Sequence, residues 1–170
     1  PLGDRIVEGA LQETETTAGV PVYFLAQDQY FDRDGLYGTT DGDYEDNCER
    51  FVFFCRGALE SLIELGKVWR PQIIHVNDWQ TGLIPVYLRT IYRDHPALGS
   101  LATLLTIHNL VYQGVFWHYD MPMTGLGWDL FTPAGLEFYG RINFLNGGLV
   151  FSDLLTTVSR TYAAEIRTPE

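Results

Sequence analysis

Asp78 and His108 stand where chemistry is usually placed. Asp78 closes the apolar run Gln72-Ile73-Ile74-His75-Val76-Asn77, and His108 closes Leu101 to Ile107. Both runs are rich in branched apolar residues and read as strands, followed at once by Trp79-Gln80 and by Asn109. A carboxylate and an imidazole supply negative potential, hydrogen bonds and proton transfer at a reacting centre. Asp78 also reads as an N-cap for a helix beginning near Thr81, because a short carboxylate accepts orphan amide hydrogens well. Trp79 is either core filler or, at a cleft rim, a stacking platform for the apolar face of a sugar ring. A lone His after a strand is often structural, but Asn109, His75 and Asp78 gathered across one crevice point His108 towards a site. His75, in mid-strand, reads as a packed and hydrogen-bonded core residue. His95 and His118 fall in loop-like segments and carry no separate signal.

Metal chemistry has weaker support. His75 and Asp78 are three apart, a spacing that turns them to opposite faces of a strand. The acidic run 41–46 begins D-x-D like a calcium loop, but Asp46 and Val52 occupy the places of the central Gly and the final Glu. It reads as a solvated acidic loop that also caps the next helix. No Walker, G-x-G-x-x-G or G-x-S-x-G pattern occurs. Neither a metal nor a cofactor is expected.

The elements that must position these residues follow from periodicity. Residues 5–12 and 20–26 read as two strands around Thr17-Ala18-Gly19, and 27–43 as a long loop rich in Asp, Gly and Tyr. From about Glu45, Cys48, Phe51, Val52, Cys55, Leu59, Leu62 and Ile63 recur at helical spacing, and Gly66 supplies the stop. A strand over 72–76, a helix marked by Ile84, Tyr87, Leu88 and Ile91, a strand over 101–107, a strand over 154–158 and a helix from Arg160 complete the pattern. Strands alternating with helices predict an α/β fold, a Rossmann-like, mostly parallel sheet with helices on both faces. Three strands end in polar residues, at Asn77-Asp78, His108-Asn109 and Ser159. In open α/β sheets ligands bind beyond the carboxyl ends of the strands, so these ends converge on one crevice.

Composition narrows the partners. The 170 residues are 46% hydrophobic and 19% charged, which is globular. Twenty-two acidic against eleven basic side chains give a formal charge of -11, which opposes nucleic-acid binding and an anionic membrane surface. No apolar run approaches the roughly 20 residues of a spanning helix. Cys48 and Cys55 lie seven apart in one helix, their Cα atoms about 10 Å apart and too far to bridge. Reduced core thiols and no visible signal peptide suggest a cytoplasmic location. No linker or repeat divides the chain, which reads as one domain over 1–170. It starts at Pro1 and stops at Glu170 soon after a helix opens, as a piece of a longer protein would.

Four stretches together resemble the glycogen synthase and bacterial or plant starch synthase family. They are Tyr30-Phe31-Asp32-Arg33; His75-Val76-Asn77-Asp78-Trp79-Gln80-Thr81-Gly82; Thr106-Ile107-His108-Asn109-Leu110-Val111-Tyr112-Gln113-Gly114; and 138–168 with its INFLNGG and TTVSRTYAAEI. The resemblance implies the N-terminal half of a GT-B fold, incomplete at its first strand. It implies a retaining transfer of glucose from ADP-glucose, or UDP-glucose, to the non-reducing end of an α-1,4-glucan, without metal. On this match Asp78 sits beside the reaction centre and His108 contacts the transferred glucose. Trp79, Gln80, Asn109, Tyr112 and Gln113 line the same pocket, and Phe31 falls near it. The partners implied are the nucleotide sugar, the glucan and a C-terminal domain of the same protein, in the cytoplasm or, for a plant protein, the plastid stroma.

The chain departs from the family pattern in places. The first strand with its Lys-Thr-Gly-Gly-type donor loop and the C-terminal catalytic Glu, Arg and Lys are absent, so the piece alone is expected to be inactive. Asn146 stands where many relatives have Lys, Arg160 where many have Pro, and Asn77 where His is frequent. The competing reading is a non-catalytic glucan-binding or regulatory module on the same fold. A third is a GT-B enzyme using another sugar donor.

Overall fold

The computed structural model describes residues 1–168. Its chain begins with a hairpin of β1 (Ala10–Glu15) and β2 (Pro21–Ala26), paired antiparallel from Ala10↔Ala26 to Glu15↔Pro21. The first strand was expected over 5–12. It lies closer to the turn because the ladder, not hydropathy, sets where a hairpin strand ends. Thr16 N–H donates to Val20 O at the turn (2.9 Å), and Gly19 there takes φ 78°. Residues 27–43 are not wholly loop. They hold a single helical turn, α1 (Asp28–Phe31), and a minimal hairpin of β3 (Gly38–Thr39) and β4 (Gly42–Asp43).

The 19-residue α2 (Asn47–Leu65) follows. Cys48, Phe51, Val52, Cys55 and Leu59 are buried along one stripe, and Gly66 closes the helix by donating to Leu62 O (2.9 Å). Both cysteines are free and buried. The Cys55 thiol donates to Gln80 O (3.2 Å), and burial pushes it up to about 12, with Cys48 moved the same way. Neither thiol forms a nucleophilic thiolate near neutrality. Iodoacetamide at pH 8 is therefore expected to label neither cysteine in the folded protein and both in urea, by mass spectrometry.

The central sheet is parallel, with β5 (Ile73–Asn77), β6 (Ala102–Ile107) and β10 (Leu154–Thr157) in the order β10-β6-β5. The α/β class, the parallel sheet and the three core strands are as the alternation implies. After β5, a 3-10 turn over Trp79–Thr81 leads into α3 (Leu83–Arg89). After β6, a second small sheet forms from β7 (Val115–Phe116), β8 (Glu137–Phe138) and β9 (Arg141–Asn143), ordered β7-β9-β8, with α4 (Met121–Thr124) between β7 and β8. Then α5 (Phe144–Phe151) leads into β10, and α6 (Arg160–Glu165) follows it.

Helices α3 and α5 pack on one face of the sheet. Their crossing is made by glycines, with Gly82 against the Phe144 carbonyl and Gly148 against Gly82 and the Leu105 side chain. Among the described residues, the opposite face of the sheet carries more exposed side chains. In β6, Thr103, Leu105 and Ile107 are buried, whereas Ile73, His75 and Leu154 on the other face are exposed. His75 accordingly lies outside the core. Its Nε2 bonds to Thr106 Oγ1 (2.6 Å), and Thr106 bonds to Thr156 Oγ1 (2.7 Å), so the hydrogen bonding expected of it is present but the burial is not.

Candidate active site

Strand pairing brings Asp78 and His108 together. In a parallel sheet, neighbouring strands end on the same edge, and Asn77 is paired with Thr106 in register. The Asp78 N–H extends that ladder by donating to Thr106 O (2.9 Å). The residue then turns sharply, at φ 54° and ψ -168°, a conformation almost reserved for glycine. This turn carries the carboxylate across to the end of β6. Oδ1 accepts from the His108 backbone N–H (2.7 Å), and Oδ2 is 2.9 Å from His108 Nδ1. The N-cap reading of Asp78 is thereby corrected, since its side chain makes no cap bond to the Trp79–Thr81 turn. A carboxylate only accepts, so His108 Nδ1 carries the hydrogen and Nε2 is the ring's other edge.

A cleft of ≈ 630 Å³ lies at this edge of the sheet. Asp78, Trp79, Gln80, Asn109, Tyr112 and Gln113 all line it, and His108 joins through Asp78. No Lys or Arg of the described residues lines it. Gln80 Nε2 donates to the Tyr37 hydroxyl (2.6 Å). Asn109 Oδ1 accepts from Val111 N–H (3.0 Å), turning the chain after β6, and Leu110 N–H donates to the Tyr162 hydroxyl of α6 (2.8 Å). Gln113 Nε2 donates to Leu110 O (3.2 Å) while its Oε1 accepts from Asn143 (2.6 Å).

The amides that open α5 also point into this loop. Phe144 N–H donates to Gly114 O (3.0 Å), Leu145 N–H to Gln113 O (3.1 Å), and Asn146 N–H to the Asn143 side chain (2.8 Å). The start of α5 therefore fixes the wall that carries Gln113.

Two residues of the expected set sit differently from their anticipated roles. Trp79 is 8% exposed, with Phe51 (4.5 Å between centroids), Tyr37 (5.8 Å) and Phe116 (5.9 Å) against its ring. It packs beneath the cleft instead of presenting a ring face for stacking. Phe31 packs with Tyr30, Phe53 and Phe54 and is absent from the cleft lining. Tyr112, 65% exposed, is free to stack. Tyr37, Asp43 and Asn47 line the cleft without having been singled out from the sequence. Tyr37 and Asp43 belong to the Asp- and Tyr-rich stretch before α2, and Asn47 is the first residue of α2 and carries no signal of its own.

Residues 5–170 match the family described as starch synthase catalytic domain. The chain belongs to that family. It is 52% identical to a glycogen synthase of Syntrophotalea carbinolica over 98% of this chain and 33% of the relative. It is 50% identical to a glycogen synthase of Koribacter versatilis over 97% of this chain and 32% of the relative. Among solved structures, the catalytic domain of starch synthase IV from Arabidopsis thaliana, bound to ADP and acarbose, aligns with TM-score 0.81 at 32% identity, over 95% of this chain and 32% of that one. The chain thus spans about a third of the relatives it matches, and its parallel α/β architecture is that of a GT-B starch synthase catalytic domain. Among the described residues, no group of three or more His, Cys, Asp or Glu is placed to hold a metal, and no helix is long and apolar enough to cross a membrane.

Proposed function

We propose that the full-length protein transfers glucose from ADP-glucose to the non-reducing end of an α-1,4-glucan with retention, and that this chain forms the glucan-facing side of its cleft. The observation that carries the reading is the Asp78–His108 pair, held by two hydrogen bonds on a constrained backbone at the carboxyl ends of β5 and β6. An oxocarbenium-like sugar gains from a fixed negative group nearby, and Asp78 is already oriented before substrate arrives. His108, held by Asp78, offers an oriented ring edge for a sugar hydroxyl. The uncharged glucan meets amides and aromatic rings in the cleft, the usual division between orientation and apolar area. The ADP and acarbose held by the Arabidopsis relative support the choice of nucleotide sugar and glucan.

The test is incorporation of labelled glucose into glycogen by the full-length protein from ADP-glucose and, separately, from UDP-glucose. Faster incorporation from ADP-glucose, with an α-linked product, is expected. Incorporation from neither donor would defeat the reading, and preference for UDP-glucose would overturn the donor assignment.

The same reading separates two aromatic residues. Tyr112→Ala is expected to raise the glucan KM about fivefold, since a lost stacking contact costs about 1 kcal/mol, with little change in stability. Trp79→Ala removes packed core and is expected to lower stability by about 3 kcal/mol or more. Denaturant melts and glucan saturation curves of both variants check the split. Equal loss of stability in both would contradict it.

A further inference from the structure

Arg50 is 3% exposed and lies within the first turns of α2, beneath residues 32–46. Its Nε donates to Tyr30 O (2.7 Å), and its Nη1 to Leu36 O (3.0 Å) and to Asn47 Oδ1 (2.6 Å). Asn47 passes the connection on, donating to Tyr37 O (2.7 Å), and Tyr44 N–H donates to that same carbonyl (2.8 Å). The guanidinium also lies over the Tyr44 ring at 5.1 Å. From outside, Arg33 Nη1 donates to Asp46 Oδ1 (2.8 Å) and its Nε to Gln29 O (2.9 Å). Between these two arginines the chain presents Tyr37 and Asp43 to the cleft, and the Tyr37 hydroxyl receives Gln80.

This arrangement restrains the segment. If residues 32–46 moved away, the Arg50 guanidinium would lose Leu36 O and the Tyr44 ring, and Asn47 would lose Tyr37 O, while Arg50 stayed packed against Phe31 and Phe51. A buried cation short of an acceptor is costly, so the segment stays where Leu36 O serves Arg50 and Tyr37 O serves Asn47. We propose that Arg50 is a positioning residue that, together with Arg33, clamps residues 32–46 as one wall of the cleft and thereby sets its affinity for glucan. The ligand named here rests on the glucosyltransferase reading above; the clamp itself does not.

Full-length Arg50→Lys keeps the charge, but an ammonium lacks the planar fork that serves three spread acceptors. The glucan KM is expected to rise about tenfold, with kcat and the nucleotide-sugar KM within about twofold, the signature of lost binding on one side of the cleft. Arg33→Gln alters a partly exposed pair and is expected to fold normally, with a rise of about threefold in the same direction. In both variants, amides 36–44 should exchange hydrogen faster while those of β5, β6 and α3 keep their protection. An unchanged glucan KM in both variants overturns the proposal. So does a loss of activity that tracks the loss of folded protein with KM unchanged. If the full-length protein transfers no glucose at all, the glucosyltransferase reading fails separately. Exchange at 36–44 then decides the clamp, with unaltered protection overturning it and faster exchange confined there upholding it.

Discussion

Asp78→Asn is expected to lower kcat of the full-length protein by about a hundredfold or more, the scale seen when a preorganised electrostatic contact is removed. The carboxylate now accepts from the His108 amide and faces Nδ1 with its second oxygen. An asparagine can keep only one of these roles unchanged. Its NH2 group, placed before Nδ1, demands an acceptor there and forces the hydrogen of His108 to Nε2. The negative potential is lost as well. Stability should change little, since hydrogen-bonding shape is largely preserved. Asp78→Gly gives the complementary result. At φ 54° and ψ -168°, a non-glycine residue stores about 1–3 kcal/mol of strain, which glycine releases. That release offsets the two lost hydrogen bonds, so the melting temperature should hold or rise while activity disappears. Steady-state kinetics with thermal melts on both variants check the pair of outcomes. Near-normal kcat in Asp78→Asn would reduce the carboxylate to a structural group.

Gly82→Ala is expected to destabilise the fold by about 3 kcal/mol, the upper range for overpacking a well-filled interior. The added Cβ would overlap the Phe144 carbonyl oxygen and approach the Phe144 carbonyl carbon at 2.8 Å and Trp79 O at 3.2 Å. All three are backbone atoms, so no side-chain rotation relieves the contact. Helix α5 would have to shift, and with it the amides that hold Gly114 and Gln113. A drop in melting temperature of roughly 10 °C follows for a domain of this size. Chemical denaturation provides the check, and a change under about 1 kcal/mol would show that the crossing yields more easily than its packing implies.

Much of this architecture was legible in the sequence because it depends on local period and strand ends. The alternation of branched apolar runs with helical spacing is enough to order β5, α3, β6, β10 and α6, and the polar residues closing each strand are enough to bring Asp78 and His108 to one edge. What was not legible depends on partners far along the chain. Trp79 reads equally as core filler or rim platform until Phe51 and Phe116, from α2 and β7, close around it. Asp78 reads as a cap because capping is a local pattern, whereas its positive φ is set by the neighbouring strand. His75 reads as core because its strand is apolar, yet it lies with exposed Ile73 and Asn77 on the more exposed face of β5. Arg50 gives no signal, since a buried cation and a surface cation look alike until the carbonyls of Tyr30 and Leu36 are placed around it.

The start of α5 has a consequence for charge. A helix beginning beside a cleft ordinarily offers free amide hydrogens, a natural cradle for an anion. Here Gly114, Gln113 and the Asn143 side chain already occupy the first three of them. That positive pole is quenched from within, used to brace a wall instead of to greet a ligand. On the proposed reading, glucan should bind this wall with almost no dependence on ionic strength, while the salt sensitivity of nucleotide-sugar binding is set by basic groups elsewhere in the full-length protein.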